Sequence, residues 1–87
     1  MGFFKGLVEI FAPARYKVTN QTNVEGYIGP LFSQEFVWLE DANKEFDGWI
    51  RLGGYDTWFY YWRDGEWELV KWYYNHEKKM HRVWSIR

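Results

Sequence analysis

The chain has 87 residues, of which 47% are hydrophobic, 24% aromatic and 26% charged, and its formal net charge is −1. This length predicts a single domain over residues 1–87, because two independent cores would not fit. A net charge near zero argues against a strongly basic nucleic-acid coat and against a polyacidic tail. The chain contains no cysteine, which excludes disulfide bonds and thiolate chemistry.

Aromatic residues are the outstanding feature of the composition, with seven Trp, seven Tyr and seven Phe. Each large ring can bury roughly 200 Å². A domain of this size, however, hides only about 60% of the surface that its unfolded chain exposes. We therefore expect some of the rings to form an exposed cluster, which is typical of an interaction surface.

The first elements of the chain are predicted from apolar spacing. Apolar residues in 3–11 recur at a spacing of three to four, which predicts a short amphipathic helix, with a first strand as the competing interpretation. No apolar run is long enough to span a membrane, so a cytoplasmic protein without membrane contact is expected. Alternation then predicts a strand from Tyr16 to Thr22, paired with Val24 to Ile28 across Gln21–Asn23.

Two short apolar segments in the middle of the chain are predicted to be strands. Phe36–Leu39 is a four-residue apolar run, and Trp49 to Leu52 is bounded by Asp47-Gly48 and Gly53-Gly54. Short runs between turn signals suit strands that are covered on both faces.

The strongest local signal lies between Tyr55 and Tyr74. Asp64-Gly65 separates two aromatic runs, which predicts a hairpin with a type I′ turn. A two-residue loop fixes the register and places Arg63 opposite Glu66, Trp62 opposite Trp67, Tyr60 opposite Leu69 and Trp58 opposite Lys71. Met80 to Ile86 is predicted to form the last strand.

These elements predict a mainly β fold. We expect five or six short antiparallel strands in a small meander or partly open barrel, with a short helix at the N-terminus. No linker rich in Pro, Gly or Ser divides the chain.

Alternation along the hairpin divides its residues between two faces. One face carries a single charge, that of Lys71, and is the better candidate for the core. The other mixes rings with charges, as protein interfaces do. Its members are the predicted partner-binding residues Phe59, Tyr61, Arg63, Glu66, Glu68 and Trp72. The alternative is that the N-terminal helix covers this face and makes it a second core layer.

Charge is unevenly distributed along the chain. Residues 31–70 hold three basic and nine acidic groups, whereas residues 71–87 hold five basic groups and one acidic group. An acidic belt from Glu35 to Glu68 would complement a basic patch on a partner protein. The basic end interleaves cations with rings, which suits single-stranded nucleic acid. The residues of this second hypothesis are Lys78, Lys79, Arg82 and Trp84, and its competing interpretation is a solvated, charged edge strand.

Two further alternatives follow from the surplus of rings. A homodimer or other homo-oligomer would hide them between copies, and a carbohydrate-binding module would stack them on sugars. Residues 48–61 resemble one choline-binding cell-wall repeat, in which aromatic rings cage a choline. The regular further copies that such solenoids require are missing, so no residue roles are transferred.

Catalytic signals are weak throughout the sequence. His76 and His81 are the two histidines, and only Glu77 is near them as a further ligand. Neither serine lies in a nucleophile motif, so we expect no enzyme activity, no metal and no cofactor. The sequence favours a non-catalytic protein-binding module. One form of such a module is an inhibitor that occludes a partner protein, as phage-encoded antagonists of host or defence proteins do.

Overall fold

The structure, a computed structural model, describes residues 13–83, and its elements form one open sheet with one helix. Their bounds are β1 Tyr16–Val24, β2 Tyr27–Phe36, α1 Leu39–Leu52, β3 Tyr55–Arg63, β4 Glu66–Tyr74 and β5 Lys79–Arg82. All neighbouring strands are antiparallel, in the order β2-β1-β3-β4-β5. The mainly β prediction is confirmed. The sheet is neither a simple meander nor a barrel, because α1 carries the chain from β2 past β1 to β3.

Tight turns with positive φ angles at both central residues close the first two hairpins. Asp64 and Gly65 have φ values of 52° and 83°, and Glu25 and Gly26 have values of 48° and 88°. Positive φ at both positions is the mark of a type I′ turn. The predicted turn at Asp64-Gly65 is confirmed, whereas the turn predicted at residues 21–23 is wrong. Those residues belong to β1, and Glu25-Gly26 escaped notice because Glu rarely adopts this conformation.

The β3–β4 hairpin has the predicted register near its turn and a different one beyond it. Trp62 faces Trp67, and their rings meet edge to face with centroids 5.0 Å apart. A register shift then occurs at Phe59/Tyr60, so that Trp58 faces Trp72 instead of Lys71. This bulge leaves one residue of β4 without an opposite residue in β3. The β4 residues that follow it therefore lie on the sheet faces opposite to those predicted.

Residues 39–52 form a helix, so the strand predicted from Trp49 to Leu52 is wrong. The strand predicted at Phe36–Leu39 is also wrong, because Phe36 ends β2, residues 37 and 38 form a bend and Leu39 begins α1. Ala42, Phe46, Trp49 and Ile50 bring one apolar stripe onto the sheet, with the spacing of an amphipathic helix. Glu40 and Asp41 in the first turn and Arg51 in the last complement the helix dipole. The helix ends at Gly53, whose N–H donates to the carbonyl of Trp49 at 3.2 Å.

The core lies between α1 and the sheet, on the face that the sequence did not favour. Val18, Ala42, Phe46 and Phe59 are its buried members, and the Phe46 and Phe59 rings pack edge to face with centroids 5.8 Å apart. The alternative interpretation placed a helix over this face, and the helix that covers it is α1. The predicted N-terminal helix over residues 3–11 lies outside the described residues.

A lysine reaches into this core from β4. The Lys71 ammonium lies 4.8 Å from the Phe46 ring centroid and 4.9 Å from that of Phe59. Its Nζ donates to Asn43 Oδ1 at 2.9 Å. Partial burial lowers the pKa of Lys71 below its ordinary 10.5, against the opposing attraction of Asp47.

This lowered pKa predicts an alkaline dependence of stability. Because the unfolded chain holds the Lys71 proton more tightly, the free energy of unfolding rises as the pH increases from the folded pKa through 10.5. We expect the wild type to gain stability over this range relative to Lys71→Met. An NMR titration of the Lys71 ε-methylene is expected to give a midpoint below 10.5. A midpoint at or above that value would contradict the burial.

A polar network joins the end of the sheet opposite the Asp64-Gly65 turn. The buried carboxylate of Asp56 accepts from Asn23 Nδ2 at 2.8 Å and from the backbone N–H of Asn75 at 2.7 Å. Asn75 Oδ1 accepts from the N–H of Gly54 at 3.1 Å, and its Nδ2 donates to the carbonyl of Asn23 at 2.7 Å. The network thereby connects β1, β3 and the β4–β5 turn.

Candidate functional site

The predicted partner-binding residues do not form one surface. Phe59 is only 2% exposed and lies beneath α1, so it cannot contact a partner in the folded chain. Tyr61 and Arg63 are half-buried and line an open cleft of about 310 Å³ beside residues 13–15. Because of the bulge in β4, Trp72 lies on the opposite face of the sheet. There its ring stacks on that of His81, with centroids 5.2 Å apart.

Charged side chains near the turn of the β3–β4 hairpin form ion pairs with one another. Arg63 faces Glu66 across the strands, and its Nε lies 3.5 Å from Glu68 Oε1 and 3.9 Å from Asp64 Oδ2. The structure thus brings Arg63, Glu66 and Glu68 together near the turn. Ion pairs formed within the hairpin leave less charge for an external partner.

The residues of the nucleic-acid hypothesis are also dispersed. Lys78 donates to Asn75 Oδ1 at 3.2 Å. Lys79 lies opposite Tyr74 and Arg82 opposite Lys71, so strand alternation turns them to different faces. Trp84 lies outside the described residues. The described part of the chain therefore holds no continuous strip of these cations.

The predicted acidic belt is distributed over separate elements. Asp56 is buried within the polar network, whereas Glu40, Asp41, Glu45 and Asp47 lie on α1. Outside this belt, the hydrogen bond between His81 Nε2 and Glu77 Oε1, at 2.6 Å, lowers the pKa of Glu77. Across residues 13–83, no group of three or more His, Cys, Asp or Glu is arranged to hold a metal ion.

The sheet face opposite α1, here called the aromatic face, carries most of the large rings of β3 and β4. Trp58, Tyr60, Trp62, Trp67, Trp72 and Tyr74 are its aromatic members. Lys17 Nζ lies 4.8 Å from the centroids of both Tyr60 and Trp67, and Trp58 meets Tyr74 edge to face at 6.2 Å. Of these rings only Trp62 is exposed, at 37%, and the other five are half-buried. Most rings of the aromatic face are therefore only partly accessible to a partner.

Strand β2 carries the largest group of exposed large apolar side chains in the described residues. The exposed fractions are 63% for Tyr27, 54% for Ile28, 59% for Leu31 and 58% for Phe32. We call these four side chains, with the free backbone edge of β2, the β2 surface. Exposed apolar residues gathered on one element mark an interaction site more often than scattered ones do.

The backbone of β2 has a free edge with identifiable hydrogen-bonding groups. Trp62 N–H donates to the carbonyl of Arg15 at 2.8 Å and Asn23 N–H to that of Gly54 at 2.9 Å. These bonds show that the backbone groups of odd-numbered residues in β1 point toward β3. Because the direction alternates along an antiparallel strand, the N–H and C=O groups of the even-numbered residues bond to β2. Their β2 partners include Phe32, Gln34 and Phe36. By alternation, the N–H and C=O groups of residues 31, 33 and 35 point away from β1, where no described strand pairs with them.

The two edges of the sheet differ in how well they resist further pairing. β5 has four residues and carries Lys79, His81 and Arg82, and short, charged strands discourage edge-to-edge association. β2 has ten residues with a single charge, Glu35. The β1–β2 register shifts between Gln21 and Asn23, opposite Gly29 and Pro30, and Pro30 has no N–H to offer a partner. Leu31–Phe36 remains open among the described residues, so β2 is the edge available to a partner.

Sequence reasoning missed the β2 surface, although a signal was present. Residues 27–32 read Tyr-Ile-Gly-Pro-Leu-Phe, which is apolar on both strand faces. Such a run usually predicts a fully buried strand. The exposed edge position of β2 makes the same pattern typical of an interface.

Comparisons of this chain with known protein families, curated proteins and solved structures find no significant match. Within residues 13–83, no helix combines the length and apolarity that crossing a membrane requires.

Proposed function

We propose that this chain is a non-catalytic protein-binding module that captures an extended segment of its partner along β2. A partner strand would bond to the backbone groups of residues 31, 33 and 35, and its side chains would cover Leu31 and Phe32. Recognition by adding a strand to a sheet edge draws affinity from backbone hydrogen bonds and specificity from neighbouring side chains.

The observation that carries this proposal is the coincidence of free backbone and exposed apolar side chains on one strand. Four large side chains of β2 are each more than half exposed, beside an edge that no described strand occupies. Assigning binding to Tyr61, Arg63, Glu66 and Glu68 has weaker support, since that region holds internal ion pairs.

The size of the surface suits a modest affinity. Half-exposed side chains of this kind contribute on the order of 100 Å² each, and a stable interface buries about 800 Å² per partner. The four side chains therefore supply about half of that area. Pairing of the backbone edge has to supply much of the rest.

Proline at position 33 tests the proposal. Ser33→Pro removes one outward N–H without removing a bond to β1, since edge strands tolerate proline at outward positions. We expect at least a tenfold loss of partner capture with little change in the unfolding midpoint. Capture is measured with a photo-cross-linking residue at position 31, followed by mass identification of the adduct.

Ser33→Ala is the matched control, because it keeps the N–H and is expected to retain capture. A cross-linker at Lys79, on the other edge, is expected to trap no partner. Equal capture by Ser33→Pro and Ser33→Ala, with both variants folded, would remove the β2 edge from the proposed function.

A further inference from the structure

We infer that the segment captured by β2 is β2 of a second copy of this chain, which rests on the proposed function of the β2 surface. In this dimer the two β2 strands pair antiparallel about a two-fold axis at Ser33. The two five-stranded sheets then join into one sheet of ten strands.

The asymmetry of the two edges argues for a second copy. Among the described strands of each chain, β2 forms an open edge and β5 a short basic one. When only one edge is competent, antiparallel pairing of two identical edges uses up both and closes the assembly. A pair of copies therefore leaves only the protected β5 edges outside, which explains how such an apolar strand avoids open-ended association.

The backbone pattern selects the register. Residues 31, 33 and 35 carry the outward groups, so a two-fold axis at Ser33 matches Ser33 with itself and Leu31 with Glu35 of the other copy. All three residues then take part, giving six hydrogen bonds between the strands. A two-fold axis at Phe32 would pair Leu31 of each copy with Ser33 of the other. The next outward residue, Glu35, would then lie opposite Gly29, where the register of β2 is irregular.

Charge and apolar contacts agree with this register. Glu35 is the single charge of β2, and the two copies of it stand four residue steps apart, about 14 Å, so like charges do not meet. Phe32 lies across from Gln34 of the other copy. The distal part of β2, with Tyr27 and Ile28, extends toward the start of α1 in the other copy, where Leu39 is itself 50% exposed.

The two-fold axis puts α1 of both copies on the same side of the joined sheet, because rotation about an axis normal to a sheet preserves its faces. Both aromatic faces then lie on the other side and form one continuous surface. The inferred dimer therefore differs in shape from one that stacks aromatic faces together.

The test uses the full chain of 87 residues and single cysteines, since the natural sequence has none. Two opposite Cα atoms in a hydrogen-bonded pair are about 5.5 Å apart, within the range that a disulfide bridges. Ser33→Cys is expected to form a disulfide dimer under mild oxidation at least tenfold faster than Glu35→Cys or Lys79→Cys.

Sedimentation velocity over a range of concentrations supplies the second measurement. We expect concentration-dependent dimerisation in the wild type and in Ser33→Ala, with at least a tenfold weaker association constant for Ser33→Pro. A wild type that stays monomeric at all concentrations, or equal cross-linking rates at the three cysteine positions, would overturn the inference.

The outcomes separate this inference from the proposed function. A strictly monomeric chain whose capture of another protein still depends on position 33 would overturn the dimer and leave the β2 surface as the binding site. A dimer that Ser33→Pro leaves unchanged, together with unchanged capture, would overturn both.

Discussion

Replacing Phe46 with alanine is expected to lower the free energy of unfolding by about 3–5 kcal/mol. Phe46 is fully buried and packs against the Phe59 ring and the Lys71 ammonium. A small domain with a total stability of roughly 5–10 kcal/mol would lose much of it. Urea unfolding followed by tryptophan fluorescence measures the change.

Leu52→Ala is the matched control on the same helix, because Leu52 is 68% exposed. Its expected change is within about 0.5 kcal/mol. Phe46→Leu, which removes less volume, is expected to lie between the two and to remain folded if Phe46→Ala does not. Equal stabilities for Phe46→Leu and the wild type would mean that the α1–sheet interface is not tightly packed.

The fold was predictable where short-range rules decide the structure. The Asp64-Gly65 turn fixes the pairing of Trp62 with Trp67 within two residues on each side, and distant parts of the chain have little influence there. Beyond Tyr60 the prediction failed because Val70 of β4 has no opposite residue in β3, and the turn residues carry no signal for such a bulge. One inserted residue then placed Trp72 and Tyr74 on the face opposite to the predicted one.

The helix was missed for a different reason. Trp49–Leu52, taken alone between Asp47-Gly48 and Gly53-Gly54, has the pattern of a short apolar strand. Its helical spacing from Ala42 and Phe46 is evident only over the whole segment. The core face was inverted because the charges of Arg63, Glu66 and Glu68 were taken to expose that whole face. They lie near the Asp64-Gly65 turn, whereas Phe59 of the same face lies beneath α1. The β2 surface depends on strand order, which no local pattern of residues 27–36 contains.

Replacing Asp56 with alanine is expected to lower the free energy of unfolding by about 2–5 kcal/mol. The change leaves the Asn75 N–H and the Asn23 amide without their acceptor, and each unsatisfied buried donor costs about 1–3 kcal/mol. Asp47→Ala removes an exposed carboxylate of α1 whose attraction for Lys71 acts near solvent. It is the control and is expected to change stability by less than about 1 kcal/mol. Thermal and urea unfolding of both variants measure the difference.

A paired exchange separates the hydrogen bonds of Asp56 from its charge. Asp56→Asn keeps an acceptor for the Asn75 N–H but turns an amide N–H₂ toward the Asn23 amide, so we expect about half of the alanine loss. Combining it with Asn23→Asp places an acceptor opposite the new donor and is expected to restore most of the stability. A double variant no more stable than the sum of the two single changes would show that the Asn23–Asp56 contact does not stabilise this end of the sheet.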